Sequence, residues 1–133
     1  MNTRQIANIR LFAHFQDEVM EWEPRNPLRL AVAKAGITTL QTLMETDFND
    51  VPSMTYGLLS APDADGNVTE TETDLTSAEK NLLRVSVAFA IARTTNPPDG
   101  REPGRFDWYR CNGDDFDDFR TGNSGYSPTT AWS

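Results

Sequence analysis

The sequence predicts an all-α or α-rich fold, a small helical bundle of about five helices with at most one short β-hairpin. Helix-start signals occur at Asn26, Thr38 and Thr76, where a capping residue precedes an apolar repeat. The longest apolar repeat follows Thr76 and has the helical period. Only the segments on either side of Asp65-Gly66 favour strands.

The first predicted helix runs from Thr3 to about Met20. Its apolar residues recur near the helical period: Ile6, Ile9, Phe12 or Ala13, and Val19 or Met20. His14 lies in this helix, where a lone histidine is more often packed or on the surface than catalytic. Prolines 24 and 27 then form the turn into the next helix.

A second helix is predicted to begin after Asn26, with Pro27 in its first turn. Its inner face repeats at helical spacing: Leu28, Ala31, Val32 and Ala35. Gly36 follows at the position where a left-handed residue most readily ends a helix.

The third helix is predicted to begin near Thr39, because Thr38 and Gln41 have the spacing of a capping box. Its inner face is Leu40, Leu43 and Met44, beside Ile37. Asp47, Phe48 and Val51 predict one further turn that stops at Pro52.

The helix–Gly–helix unit of residues 35–44 resembles SAM-like and helix-hairpin-helix domains. A SAM-like resemblance implies pairing with other proteins, and a helix-hairpin-helix resemblance implies that the Gly36 turn holds a DNA phosphate. The alternative candidate function is therefore nucleic-acid binding, through Arg25, Arg29, Lys34 and Gly36. A plain helix-ending role for Gly36 is the commoner one.

Residues 54–59 and 68–73 are predicted as the two strands of a hairpin, joined by a turn over residues 61–67. Asp63, Asp65 and Glu72 also occupy positions 3, 5 and 12 of a calcium-binding loop counted from Ala61. Alanine cannot ligate calcium and no helix precedes the loop, so an acidic hairpin is the favoured interpretation.

Thr76 and Glu79 form a second capping box, which opens the longest predicted helix. Two apolar rows follow: Ala78, Leu82, Val85, Phe89 and Ala92, widened by Leu83, Val87 and Ile91. A strand over residues 85–91 is the alternative, because apolar residues also alternate there. We expect the core to contain Leu82, Val85 and Phe89 beside Leu40 and Leu43.

Residues 94–104 are rich in proline and glycine and predict a loop. The aromatic segment 105–110 either packs on the core or, through Trp108 and Tyr109, binds a partner. A last helix is predicted over residues 112–120, with Phe116 and Phe119 inward. Its four aspartates, Asp114, Asp115, Asp117 and Asp118, are of the type that binds Mg²⁺ or Ca²⁺, but a solvated acidic face is the favoured interpretation.

We expect one helical domain over residues 1–120 and a flexible or partner-dependent tail over residues 121–133. Tyr126 and Trp132 stand in this tail among small polar residues. Both are predicted partner-binding residues, with Trp108 and Tyr109.

The net charge is −8, and residues 37–80 carry nine acidic and one basic side chain. Residues 1–36 carry four acidic and five basic ones. This balance disfavours nucleic-acid binding by the domain as a whole.

One Cys and one His exclude an internal disulfide and a Cys/His zinc site. No apolar run reaches the roughly 18 residues of a membrane span, so we expect an intracellular, cytoplasmic protein with no membrane contact.

The order of several short segments resembles the leading segment of gag-like retroelement polyproteins from diatoms. These segments are residues 36–44, 54–56, an acidic turn, residues 82–85, residues 107–108 and residues 115–120. The resemblance implies a structural, non-catalytic assembly role. With no nucleophile elbow and no phosphate-binding loop, the sequence predicts a non-enzymatic protein–protein interaction module without cofactor.

Overall fold

A computed structural model describes residues 2–98 and 100–122 of the 133-residue chain. These residues form five α-helices and one antiparallel hairpin, which confirms the α-rich prediction. In chain order the helices and strands are α1 Thr3–His14, α2 Pro27–Lys34, α3 Leu40–Met44, β1 Thr55–Leu59, β2 Glu70–Asp74, α4 Ser77–Thr95 and α5 Gly113–Thr121. The predicted tail, with Tyr126 and Trp132, lies almost wholly outside the described residues.

The first helix packs on the body through its C-terminal end only. It begins at Asn2, whose side chain forms a reciprocal capping box with Gln5, and it continues beyond His14 as a π-helical turn, Phe15–Val19. Phe12 and Phe15 are buried, whereas residues 2–10 are all exposed. Ile6 and Ile9, the first apolar residues of the predicted repeat, therefore lie outside the core.

The second helix begins as predicted, because the Asn26 side chain accepts a hydrogen bond from the Leu28 amide at 2.9 Å. The third helix begins one residue later than the predicted capping box: Thr39, not Thr38, is the N-cap, and its hydroxyl accepts from the Thr42 amide.

The predicted further turn over residues 47–51 does not end at Pro52. Pro52 lies inside a short 3₁₀ turn, Val51–Ser53, at a position where its missing N–H costs little.

The two strands pair antiparallel from Thr55 opposite Asp74 to Leu59 opposite Glu70. This confirms the predicted hairpin with a slightly later second strand. The base of β1 packs against α2. Residues 58–72 are exposed without interruption, so the hairpin projects from the body.

The long helix α4 forms the centre of the core. Its predicted start is confirmed, since the Thr76 hydroxyl accepts from the Glu79 amide at 3.1 Å and the Glu79 carboxylate accepts from the Thr76 amide at 2.8 Å. Val85 and Phe89 are buried in one cluster with Leu40 and Leu43, as predicted. Leu82 packs against this cluster but is only partly buried, and Ile91 is exposed. The strand alternative for residues 85–91 is wrong.

Aromatic rings join α4 to the C-terminal segment. Phe89 has ring-centroid distances of 5.7 Å to Trp108, 5.4 Å to Phe116 and 5.0 Å to Phe119. The Arg93 guanidinium lies over both Phe89 and Phe119, a cation–π arrangement. Helix α5 lies where a helix was predicted, and it begins with a reciprocal capping box between Asn112 and Asp115. The last helix thereby closes the aromatic core.

Candidate interaction surfaces

The projecting hairpin combines exposed apolar side chains with negative charge. Leu58, Leu59 and Val68 are 50%, 43% and 48% exposed. Five acidic residues lie on the same hairpin, and no Lys or Arg stands between Lys34 and Lys80. The acidic residues are Asp63, Asp65, Glu70, Glu72 and Asp74. A surface of this composition favours a partner that is both apolar and basic.

An open groove of about 550 Å³ runs between the start of α2 and the outer half of β1. We call it the hairpin groove. Its lining is Arg25, Pro27, Leu30, Tyr56, Gly57, Leu58, Leu59 and Glu70. The Glu70 side chain lies over Gly57, at the place where a Cβ of that residue would stand. The groove is thus mainly apolar, with one cation and one carboxylate at its sides.

The candidate calcium ligands are not brought together. The Asp63 carboxylate accepts from the amides of Asp65 and Asn67, both at 2.9 Å, and so closes the turn. Glu72 lies down the second strand, where Thr55 donates to its carboxylate at 3.0 Å. Among residues 2–98 and 100–122, no three His, Cys, Asp or Glu side chains are grouped so that they could hold a metal ion. The calcium candidate therefore has no support in the geometry.

Two basic residues of the alternative nucleic-acid site form ion pairs and hydrogen bonds within the protein. Arg29 forms an ion pair with Asp17 and donates to the carbonyl of Trp22 at 3.0 Å. Lys34 donates to the Thr55 hydroxyl at 2.8 Å and lies 3.5 Å from the Glu72 carboxylate. These contacts reduce the positive charge available to a phosphate.

The backbone amides of the Gly36 turn also form hydrogen bonds within the chain. Gly36 has a φ of +81°, its amide donates to the Ala33 carbonyl at 3.0 Å, and the Ile37 amide donates to the Val32 carbonyl at 3.1 Å. This is the Schellman arrangement that ends a helix. Because both amides already have acceptors, the turn does not offer them to a DNA phosphate, and Gly36 is a helix-ending residue. Of the three basic candidates, Arg25 and Lys34 are exposed and Arg29 is partly buried.

Two of the four predicted partner-binding aromatics lie within the described residues, and the structure separates them. Trp108 is buried, with edge-to-face contacts to Phe15 at 5.4 Å and Phe106 at 4.8 Å. Trp108 is therefore part of the core. Tyr109 is 58% exposed, and its ring centroid lies 4.9 Å from that of His14. Tyr109 remains a surface candidate.

The lone histidine and cysteine have structural partners. The Nε2 atom of His14 donates to the Trp108 carbonyl at 2.9 Å, which ties α1 to the aromatic segment. Cys111 is buried, and this burial, reinforced by Asp115, raises the pKa of its thiol to about 12. The thiol is therefore protonated at neutral pH, whereas the thiolate is the nucleophilic form.

The N-terminal part of α1 is a second exposed surface, which we call the α1 arm and define as residues 2–10. Ile6 and Ile9 are 37% and 40% exposed and lie three residues apart on one side of the helix. Arg4 and Arg10 lie on the same arm, and the first acidic residue of the chain is Asp17. The arm is apolar and basic, whereas the hairpin is apolar and acidic.

No protein-family model, curated protein or solved structure matches this chain. The resemblances to SAM-like, helix-hairpin-helix and gag-like proteins therefore stay predictions. Among the described residues, no helix has both the length and the apolar character that a membrane span requires.

Proposed function

We propose that this chain is a non-catalytic protein-interaction module that assembles through its hairpin groove. The observation that carries the proposal is the pair of exposed leucines, Leu58 and Leu59, at the rim of that groove. The two side chains lie on opposite faces of β1, as successive strand residues do, and both residues line the groove with Pro27 and Leu30. Exposed apolar surface of this kind commonly marks an interaction site.

The backbone of the hairpin supports the same function. Within the described residues β2 pairs only with β1, so the other edge of β2 presents unpaired N–H and C=O groups. An extended partner segment can add to such an edge through main-chain hydrogen bonds. The carboxylates of Glu70, Glu72 and Asp74 would select for a basic partner.

A cytoplasmic location is part of this proposal. Cys111 is a free thiol, which suits a reducing compartment. A gag-like assembly role belongs to the same class of function, since it needs contacts between chains and no chemistry. Partner capture and self-association are therefore the properties to measure.

The test compares the wild-type chain with the double variant Leu58→Ser/Leu59→Ser. Both leucines are exposed, so the free energy of unfolding should change by no more than about 0.5 kcal/mol per site. Val68→Ser is the matched control, because Val68 is equally exposed on the same hairpin but does not line the groove.

Light scattering and cross-linking should show association, with itself or with a captured protein, for the wild type and for Val68→Ser. The double variant should lose it. Two results together would contradict the proposal: the wild-type protein stays monomeric at millimolar concentration, and it captures no protein that the double variant fails to capture.

A further inference from the structure

We propose that the occupant of the hairpin groove is the α1 arm of a second copy of this chain, so that copies join head to tail. The inference rests on the proposed function and names the partner. It follows from three properties of the arm, namely its apolar residues, its charge and its exposure.

The arm is helical although all of its residues are exposed. Helix α1 packs on the body through Leu11, Phe12 and the turn beyond them, and within the arm Asn8 lines a cavity beside α3. Short helices are marginally stable in water without a packed face. The capping box between Asn2 and Gln5 supports this end of the helix only locally. An arm of this kind gains stability when its apolar side is covered.

The apolar residues of the two surfaces are complementary. Ile6 and Ile9 project from the arm as neighbouring side chains, a spacing that helices use to dock in grooves. Pro27, Leu30 and Tyr56 form the apolar lining of the groove, with the two exposed leucines at its rim. Docking would bury aliphatic side chains on both partners.

Their charges are complementary as well. The arm carries Arg4 and Arg10 with no acidic residue, whereas residues 55–74 of the hairpin carry five acidic residues and no basic one. Within the groove lining itself Glu70 is the carboxylate and Arg25 is a cation, so the excess negative charge comes from the rest of the hairpin. The first turn of α1 also lacks an acidic side chain, so the positive end of its helix dipole is uncompensated there. Two arms, or two hairpins, would repel one another. Charge therefore favours an arm-to-hairpin contact over a symmetric one.

Such a contact is heterologous, because the two surfaces differ. Each bound pair leaves one free arm and one free groove, so association continues unless a face is blocked. This property separates the proposal from a two-fold dimer. It also matches an assembly role, in which one chain type forms an extended structure.

The experiment uses two blocking variants of the full chain. The arm variant is Ile6→Ser/Ile9→Ser, and the groove variant is Leu58→Ser/Leu59→Ser. Ile91→Ser is the control for the arm variant, because Ile91 is 39% exposed on α4 and belongs to neither surface. Circular dichroism and urea unfolding should first show that all variants keep the wild-type fold.

Sedimentation velocity should then show concentration-dependent oligomers for the wild type and for Ile91→Ser. Each blocking variant alone should be monomeric, with association weakened by about tenfold or more. An equal mixture of the two variants should form a one-to-one dimer and nothing larger, because one partner supplies an intact arm and the other an intact groove.

Other outcomes overturn the inference in distinguishable ways. Dimers of the groove variant alone would indicate arm-to-arm pairing, and dimers of the arm variant alone would indicate groove-to-groove pairing. A monomeric wild type that still captures a different protein through the two leucines would overturn head-to-tail assembly and leave the proposed function standing. A monomeric wild type that captures nothing would overturn both.

Charge reversal provides a second test. Arg4→Glu/Arg10→Glu should weaken self-association, and added salt should weaken the wild-type contact. Arg105→Glu/Arg110→Glu makes the same change in net charge on another exposed segment and should have little effect. Equal weakening by both variants would show that only net charge matters and would contradict a specific arm contact.

Discussion

Phe89 and Leu58 are both large apolar side chains, yet they contribute to the molecule in different ways. Phe89 has no exposed surface and contacts three aromatic rings. Leu58 is half exposed on a hairpin that projects from the body. The fold therefore depends on the aromatic core around α4, whereas the hairpin and the α1 arm are surfaces that the core holds in place.

The largest expected effect follows from truncating the centre of the core. Phe89→Ala would remove the ring on which Trp108, Phe116 and Phe119 pack, and should lower the free energy of unfolding by about 3–5 kcal/mol. Ile91→Ala, two residues along the same helix but exposed, should change it by no more than about 0.5 kcal/mol. Urea unfolding measures both, and an unchanged midpoint for Phe89→Ala would show that α4 is not central.

An intermediate effect is expected where the hairpin joins the core. Thr76 caps α4 directly after β2, so Thr76→Ala should cost about 1 kcal/mol through the loss of its hydrogen bond to the Glu79 amide. The neighbouring Ser77→Ala is the control, because Ser77 begins the helix without being its cap. Equal urea midpoints for the two variants would contradict a role for this cap.

The smallest effect concerns the base of the hairpin, where the hydrogen bond from Thr55, together with the charge of Lys34, holds the pKa of Glu72 below its ordinary value. A carboxyl group whose pKa is lower in the folded state stabilises the fold above its unfolded pKa. That stabilisation is lost as the pH falls through the folded pKa. Thr55→Val should raise the pKa of Glu72 most, and Lys34→Met should also raise it.

A side-chain NMR titration of Glu72 checks this prediction. Lys80→Met removes one cation outside the Thr55–Lys34–Glu72 network and should leave the titration of Glu72 unchanged. If neither Thr55→Val nor Lys34→Met moved the titration, the hairpin would not be joined to α2 by these contacts.

Much of the fold could be predicted because its signals are local. Asn26 and Thr76 both cap helices where the sequence places them, since a cap and its partner stand within three residues. The error at Thr38 has a related cause, because Thr38 and Thr39 offer the same side chain and only packing decides which one caps.

The candidate site could be predicted less well because its contacts join distant residues. Arg29 pairs with Asp17 and Lys34 pairs with Glu72, and neither partner follows from helical or strand spacing. Periodicity likewise groups Ile6 with Phe12, although only Phe12 meets the body. Trp108 and Tyr109 are adjacent aromatics, and the chain's path alone decides which is buried.

In the proposed assembly the core folds by itself, while the α1 arm and the hairpin groove are covered by another copy. Hydrogen–deuterium exchange of the wild-type chain over a range of protein concentrations tests it most directly. Amides of α4 should be strongly protected at every concentration, whereas residues 5–10 of the arm and the groove-lining residues 56–59 of β1 should gain protection as concentration rises. If exchange in the arm and the hairpin is the same at every concentration, head-to-tail assembly is contradicted.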